Sequence, residues 1–108
     1  FTPAAYNDPK LVTRINGVFK TWLGEGALFE RKPTMGGEDF GRYGRTTHKI
    51  PIFMFRLGAV SPAAVKRAQA LGQSLPSLHS AKFAPDTACL KTGVTAMTAA
   101  VLELVGKK

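Results

Sequence analysis

The clearest hydrophobic pattern in the chain lies in residues 9–23. Apolar residues recur there at steps of three and four positions, a spacing that places them on one face of an α-helix. Asp8 and Pro9 are typical of a helix start, because the aspartate side chain caps free amides and proline has no amide to satisfy. Gly24 is expected to end the helix. The predicted apolar face comprises Leu11, Val12, Ile15, Val18, Phe19, Trp22 and Leu23.

Two further helices are predicted in the second half of the chain. Ser61 and Pro62 open a short one, which Gly72 stops. Asp86 is expected to cap a long final helix whose apolar residues again recur at steps of four and three. We expect this second apolar face to be buried. It comprises Leu90, Val94, Met97, Val101 and Leu104.

An almost continuous apolar run over residues 50–58 predicts a strand. Such runs are typical of strands covered on both faces, as in parallel sheets, and Pro51 would lie at the start of this one. Residues 27–31 predict a second, short strand that ends before Pro33. Strands combined with amphipathic helices indicate an α/β fold.

Composition limits the size and class of the protein. A chain of 108 residues and 11.6 kDa allows one small domain, and no apolar run reaches the ~20 residues of a membrane-spanning helix. Cys89 is the single cysteine, which excludes an internal disulfide. The formal charge is +8, but the cations are scattered, so we expect neither a nucleic-acid nor a membrane partner. A free-standing basic module for anionic ligands or nucleic acid is the alternative.

Two glycines form the first candidate site. Gly36 and Gly37 precede Glu38 and a short helical segment. Backbone amides at such a turn can approach a ligand closely, and the positive end of a helix favours an anion such as a carboxylate. The alternative is a tight turn in which Glu38 and Asp39 interact with the helix dipole.

His79 is the candidate metal ligand. It lies in a predicted loop between an apolar strand and the final helix, at the kind of sheet edge where sites form. A lone histidine is more often structural, since a zinc site needs three or four ligands. His48 lies in a turn-like stretch and is expected at the surface, and Cys89 is interpreted as a small buried apolar residue.

Three segments in order carry a family resemblance. They are residues 35–40 (Met-Gly-Gly-Glu-Asp-Phe), 53–59 (Phe-Met-Phe-Arg-Leu-Gly-Ala) and 78–83 (Leu-His-Ser-Ala-Lys-Phe), followed by Thr-Gly-Val at 92–94. The order resembles the C-terminal part of the aminoacylase and carboxypeptidase metallopeptidases, above all the amidohydrolases that include hippurate hydrolase and indole-acetyl-amino-acid hydrolase. Ala81 stands where that family has proline, and residues 61–72 lengthen a connection that is often short.

The resemblance implies a fold and a set of site residues. Residues 1–108 would form the C-terminal part of a three-layer α/β/α catalytic domain of the zinc-dependent exopeptidase type, without the lid domain and the N-terminal half. His79 matches the last protein ligand of a dinuclear centre holding two divalent ions, zinc or manganese. Gly36, Gly37 and Glu38 match the loop beside the substrate. The glutamate general base and the other ligands would precede Phe1, so no catalytic residue is expected in this chain.

The same resemblance implies a function. The chain would belong to a metal-dependent amidohydrolase that hydrolyses N-acyl amino acids or small peptides. We expect it to be inactive alone and to bind metal weakly or not at all. Its expected partners are the substrate, the remainder of its own catalytic domain and further copies in a homo-oligomer. Neither the cytoplasm nor the periplasm is favoured as its location.

Overall fold

The computed structural model describes residues 2–106, and all regular structure in this part of the chain is helical. Three α-helices are present: α1 (Pro9–Leu23), α2 (Pro62–Ala70) and α3 (Cys89–Val105). Short 3-10 helices span Glu25–Ala27 and Asp39–Arg45. The positions of the three α-helices confirm the helices predicted from the hydrophobic pattern. Within residues 2–106, no helix is both long and apolar enough to cross a membrane.

The chain divides into two compact units. Among the described residues, the first unit comprises residues 2–56 and 95–106, and the second comprises residues 57–94. Helix α3 therefore begins in the second unit and ends in the first. The first unit is discontinuous in sequence, whereas the second is a single stretch of chain.

Helix α1 begins and ends as its sequence predicts. The Leu11 amide donates to Asp8 Oδ1 at 2.8 Å, so the aspartate is the N-cap, and Pro9 occupies the first turn. Gly24 ends the helix at φ 95°, where its amide donates to the Lys20 carbonyl at 2.9 Å. A positive φ of this kind favours glycine because it has no Cβ to clash.

The core of the first unit forms around α1. Ile15 and Phe19 on this helix are buried together with Ala96 of α3. The ring of Phe55 meets Phe19 edge-on, with 5.0 Å between the ring centroids, and Phe53 packs beside both. Edge-to-face contacts of this geometry add to the stabilisation from burial. Partly buried residues that complete the cluster are Leu11, Leu23, Leu28 and Ala100.

The prediction of an α/β fold, and with it a partial three-layer α/β/α domain, is wrong for the described residues. Neither residues 50–58 nor residues 27–31 form a strand, and residues 2–106 contain no sheet. The run at 50–58 instead buries Ile52 and packs Phe53 and Phe55 against α1. Its backbone bonds to the start of α1: the Asp8 amide donates to the Ile52 carbonyl at 2.8 Å. The apolar residues of this run therefore pack against a helix. Within the described chain, no strand lies beside them.

The predicted burial of the apolar face on α3 is also wrong. Leu90, Val94, Met97, Val101 and Leu104 are all exposed. The buried residues of this helix are the small ones, Ala96 and Ala99. Alanine lets a second helix approach closely, which larger side chains at these positions would prevent. Trp22, predicted on the buried face of α1, is exposed as well.

The second unit is built around α2 and the start of α3. The Ala64 amide donates to Ser61 Oγ at 3.2 Å, which makes Ser61 the predicted N-cap of α2. The Asp86 amide donates to the Ala59 carbonyl at 2.7 Å, which ties the two ends of this unit together. Helix α3 starts at Cys89, three positions after Asp86, whose carboxylate accepts from the Ala88 amide at 2.9 Å. Asp86 thus supports the turn that leads into the helix.

Candidate functional site

His79 lies in a turn of the second unit. The Ser80 amide donates to the Ser77 carbonyl at 3.0 Å, so residues 77–80 reverse the chain. The next turn begins at once, because the Phe83 amide donates to the Ser80 carbonyl at 3.0 Å. The His79 side chain is exposed, and its imidazole makes no hydrogen bond or ion pair with residues 2–106. Two successive turns therefore present an imidazole whose nitrogens are available to a ligand.

The predicted substrate loop lies in the first unit. Gly36, Gly37 and Glu38 are exposed. Glu38 is the N-cap of the 3-10 helix Asp39–Arg45, and its Oε1 accepts from the Phe40 amide at 3.1 Å. A carboxylate of the chain itself therefore accepts the hydrogen bond of this amide.

Neither glycine of this loop is required by the surrounding fold. A Cβ at Gly37 would meet no atom within 4 Å, and one at Gly36 would only touch Thr34 Oγ1 at 4.0 Å. Among the described glycines, positive φ angles occur at Gly24 and Gly72, not here. The conformation and packing of residues 2–106 thus do not explain why glycine stands at both positions. Open space above the backbone is what a closely approaching ligand needs.

Sequence reasoning missed Arg56 as a neighbour of this loop. Its Nη2 donates to Thr34 Oγ1 at 3.2 Å. Thr34 lies two positions before Gly36. The contact joins residues 22 positions apart, so no local pattern could reveal it. The bond brings an exposed guanidinium to the loop, and guanidinium groups suit carboxylates because they can donate two parallel hydrogen bonds.

The predicted site residues fall in different units. His79 belongs to the second unit, whereas Gly36, Gly37 and Glu38 belong to the first, and each is described within its own unit. His48, predicted at the surface, is exposed in a turn of the first unit. No group of three or more histidine, cysteine, aspartate or glutamate side chains within residues 2–106 could hold a metal ion.

Comparison with known proteins finds relatives among the deacetylases. The chain is 41% identical over 71 residues to N-acetyldiaminopimelate deacetylase of Lactiplantibacillus plantarum, a match that covers 66% of this chain and 14% of that protein. It is 41% identical over 68 residues to the same enzyme of Lacticaseibacillus casei, covering 63% of this chain and 14% of the relative. A third match of the same extent is found in Lacticaseibacillus paracasei.

These matches are partial. The chain spans about 14% of the length of the curated relatives it matches. No protein-family model matches it, and no solved structure does. What the matches support is a coarse relationship between this chain and the amidohydrolases.

Proposed function

We propose that this chain is the C-terminal part of the catalytic domain of a metal-dependent amidohydrolase that acts on N-acyl amino acids or small peptides. The observation that carries the proposal is the 41% identity over 71 residues to a deacetylase. By its name, that relative removes the acetyl group of N-acetyldiaminopimelate. The same class of bond is the proposed target of the enzyme to which this chain belongs.

His79 is the proposed metal ligand of the chain. Support comes from its exposed imidazole, which lies within the turn at residues 77–80 and makes no hydrogen bond or ion pair with residues 2–106. A structural zinc site takes four protein ligands and a catalytic one three, and the described residues offer no such group. We therefore place the other ligands of the two divalent ions, zinc or manganese, outside the described residues and derive no reaction step through the metals.

Gly36, Gly37 and Glu38 are the proposed substrate loop. The open space above both glycines supports close approach of a substrate to the backbone. Arg56, bonded to Thr34 at the start of the loop, supplies a positive charge suited to the carboxylate of an N-acyl amino acid. Glu38 accepts from the Phe40 amide in the first turn of the adjoining 3-10 helix and so fixes one end of the loop.

A chimera tests the proposal. In it, this chain replaces the corresponding part of the L. plantarum deacetylase, and bound zinc and deacetylation are measured together. We expect His79→Ala to lower deacetylation at least 100-fold and to lower the bound zinc, because an imidazole ligand is lost.

His48→Ala is the matched control, since His48 is also exposed in a turn. It should leave both zinc content and rate within about twofold of the unsubstituted chimera, as surface substitutions away from a site do. Retention of zinc and activity in the His79→Ala chimera would contradict the assignment of this ligand.

A further inference from the structure

A glycine at position 41 lets the 3-10 helix Asp39–Arg45 lie directly against residues 4 and 5. Gly41 is buried, and a Cβ at this position would come within 2.7 Å of the Ala4 carbonyl oxygen and 3.0 Å of the Ala5 amide nitrogen. Non-bonded carbon atoms pack roughly 3.5–4.0 Å apart, so no side chain fits between the two segments. Both obstacles are backbone atoms, which cannot move away as easily as the end of a side chain. This contact therefore requires glycine at position 41, in contrast to the two glycines of the substrate loop.

The same 3-10 helix continues directly from the substrate loop. Glu38 ends the loop and is the N-cap of this helix, where its Oε1 accepts from the Phe40 amide at 3.1 Å. Gly41 follows Glu38 by three positions, which is about one turn of a 3-10 helix. An ion pair between Asp39 and Arg42 spans this turn, with 3.4 Å between Oδ1 and Nε. A displacement of Gly41 therefore moves the end of the loop as well.

Residues 4–8, which we name the platform segment, also hold the stretch of chain that leads to Arg56. Within this segment, Asn7 bonds with both backbone groups of Met54 at 2.9 Å. The next amide of the segment donates to the Ile52 carbonyl at 2.8 Å. Arg56 lies two positions after Met54, and its guanidinium bonds to the start of the substrate loop. One short segment therefore contacts both the helix that continues the loop and the chain that carries Arg56.

We propose that Gly41 is a positioning residue, which sets the distance between the substrate loop and Arg56 by letting the 3-10 helix contact the platform segment; this inference rests on the proposed function. In that function, the guanidinium binds the carboxylate of an N-acyl amino acid and the open backbone of the loop faces the rest of the substrate. Groups that bind one ligand together must be held at a fixed separation, and a misplacement of about 1 Å can cost about 100-fold. Gly41 is buried, so it acts through the loop.

The chimera with the L. plantarum deacetylase provides the test, with N-acetyldiaminopimelate as the substrate. Gly41→Ala should raise KM at least tenfold, because the added methyl group pushes the helix away from the platform segment. Bound zinc and kcat should stay within about twofold, and circular dichroism checks that the variant is folded. Gly26→Ala is the matched control, since Gly26 also lies in a short 3-10 helix of the first unit but a Cβ there would meet no atom within 4 Å. Its KM should be unchanged within about twofold.

A double-mutant cycle separates positioning from a general loss of structure. In a chimera that already carries Arg56→Gln, Gly41→Ala should raise KM by less than about threefold, because the carboxylate contact that depends on the distance is already lost. Damage to the fold alone would raise KM by the same factor with and without Arg56, and that result would overturn the proposal. An unchanged KM in the folded Gly41→Ala chimera would overturn it as well.

Gly44→Ala decides the matter if the Gly41→Ala chimera does not fold. A Cβ at Gly44 would meet side-chain carbons of Ile52 at 3.2 and 3.3 Å, a contact that a small shift relieves. We expect KM to rise about threefold with zinc retained, and an unchanged KM would overturn the proposal. His79→Ala keeps the two proposals apart. If that variant loses zinc while the glycine variants have a normal KM, Gly41 is misassigned and the proposed function stands.

Discussion

At the scale of single residues, the side-chain amide of Asn7 forms two hydrogen bonds with the backbone of Met54, as a neighbouring strand would. Its Nδ2 donates to the Met54 carbonyl at 2.9 Å, and the Met54 amide donates to its Oδ1 at 2.9 Å. One side chain thereby satisfies both backbone groups of a partly buried residue 47 positions away. The sequence predicts only that Asn7 lies near the start of α1, because a contact over this distance leaves no periodic pattern.

Replacement of Asn7 tests this bridge. Asn7→Ala should lower the free energy of unfolding by about 1–3 kcal/mol, because it leaves two partly buried backbone groups of Met54 without partners. Urea denaturation measures the change. Asn16→Ala on α1 is the matched control and should stay within about 0.5 kcal/mol, since the Asn16 side chain makes no hydrogen bond with residues 2–106. Equal effects of the two substitutions would show that the bridge is not stabilising.

The candidate site is predictable from sequence only in part, and the limits lie at particular residues. His79 can be identified by the residues around it, and the structure places it in an exposed turn, as a loop residue should be. Whether it binds metal stays a prediction. The role of Arg56 cannot be predicted from the sequence, because its hydrogen bond to Thr34 depends on tertiary structure. The sequence predicts, as one alternative, only an interaction of Glu38 with the helix dipole, whereas in the structure Glu38 is the N-cap of the 3-10 helix.

At the scale of elements, helices are predicted well and their environments less so. Helix α1 has a capping aspartate, an N-terminal proline and one apolar face, and all three indicate the same helix. In α3, by contrast, periodicity shows which residues share a face but not which face meets the core. Ala96 packs in the core with Ile15 and Phe19 of α1, and Ala99 is buried as well. The larger residues on the other side mislead a prediction based on size alone.

A substitution at Ala96 tests the contact between the two helices. Ala96→Leu should lower the free energy of unfolding by about 1–3 kcal/mol, because the added atoms overpack a core position beside Ile15 and Phe19. Thermal unfolding followed by circular dichroism measures the loss. Thr98→Leu, two positions along the same helix and exposed, should change stability by less than about 0.5 kcal/mol. A neutral Ala96→Leu would mean that α3 does not pack against α1 at this position.

The predicted strands fail for a related reason. A continuous apolar run indicates burial on both sides, but a strand also needs a neighbouring strand to pair its backbone groups. Within the described chain, the backbone groups of residues 50–58 form hydrogen bonds with the amide of Asp8 and the side chain of Asn7. Residues 50–56 of this run, which belong to the first unit, therefore lie irregularly, with Phe53 and Phe55 packed against α1.

At the scale of the whole molecule, more large apolar side chains are exposed than buried among the described residues. Five hydrophobic residues are buried among those described, whereas large apolar side chains are exposed along α1 and α3. The hydrophobic composition predicts a packed core, but the structure shows a small one. Composition counts apolar residues without showing what they pack against, so this outcome is not predictable from it.

The isolated chain should not hydrolyse N-acyl amino acids. Residues 2–106 contain no group of three potential metal ligands, so added zinc should produce no turnover above the rate without protein. Release of the free amine measures the reaction, and the full-length L. plantarum deacetylase is the positive control. Turnover by this chain that disappears in His79→Ala would contradict the expectation.

The pairing of α1 with α3 also determines the order in which the chain can fold. Arg14 and Glu103, which join these helices, are 89 positions apart, and closing a loop of that length costs about 4 kcal/mol in chain entropy. The second unit is continuous in sequence and can form as soon as it is synthesised. The first unit cannot complete its core until α3 has been synthesised, because Ala96 of this helix is buried against Ile15 and Phe19. Until then, only residues that precede α3, among them Phe53 and Phe55, can pack against the apolar face of α1.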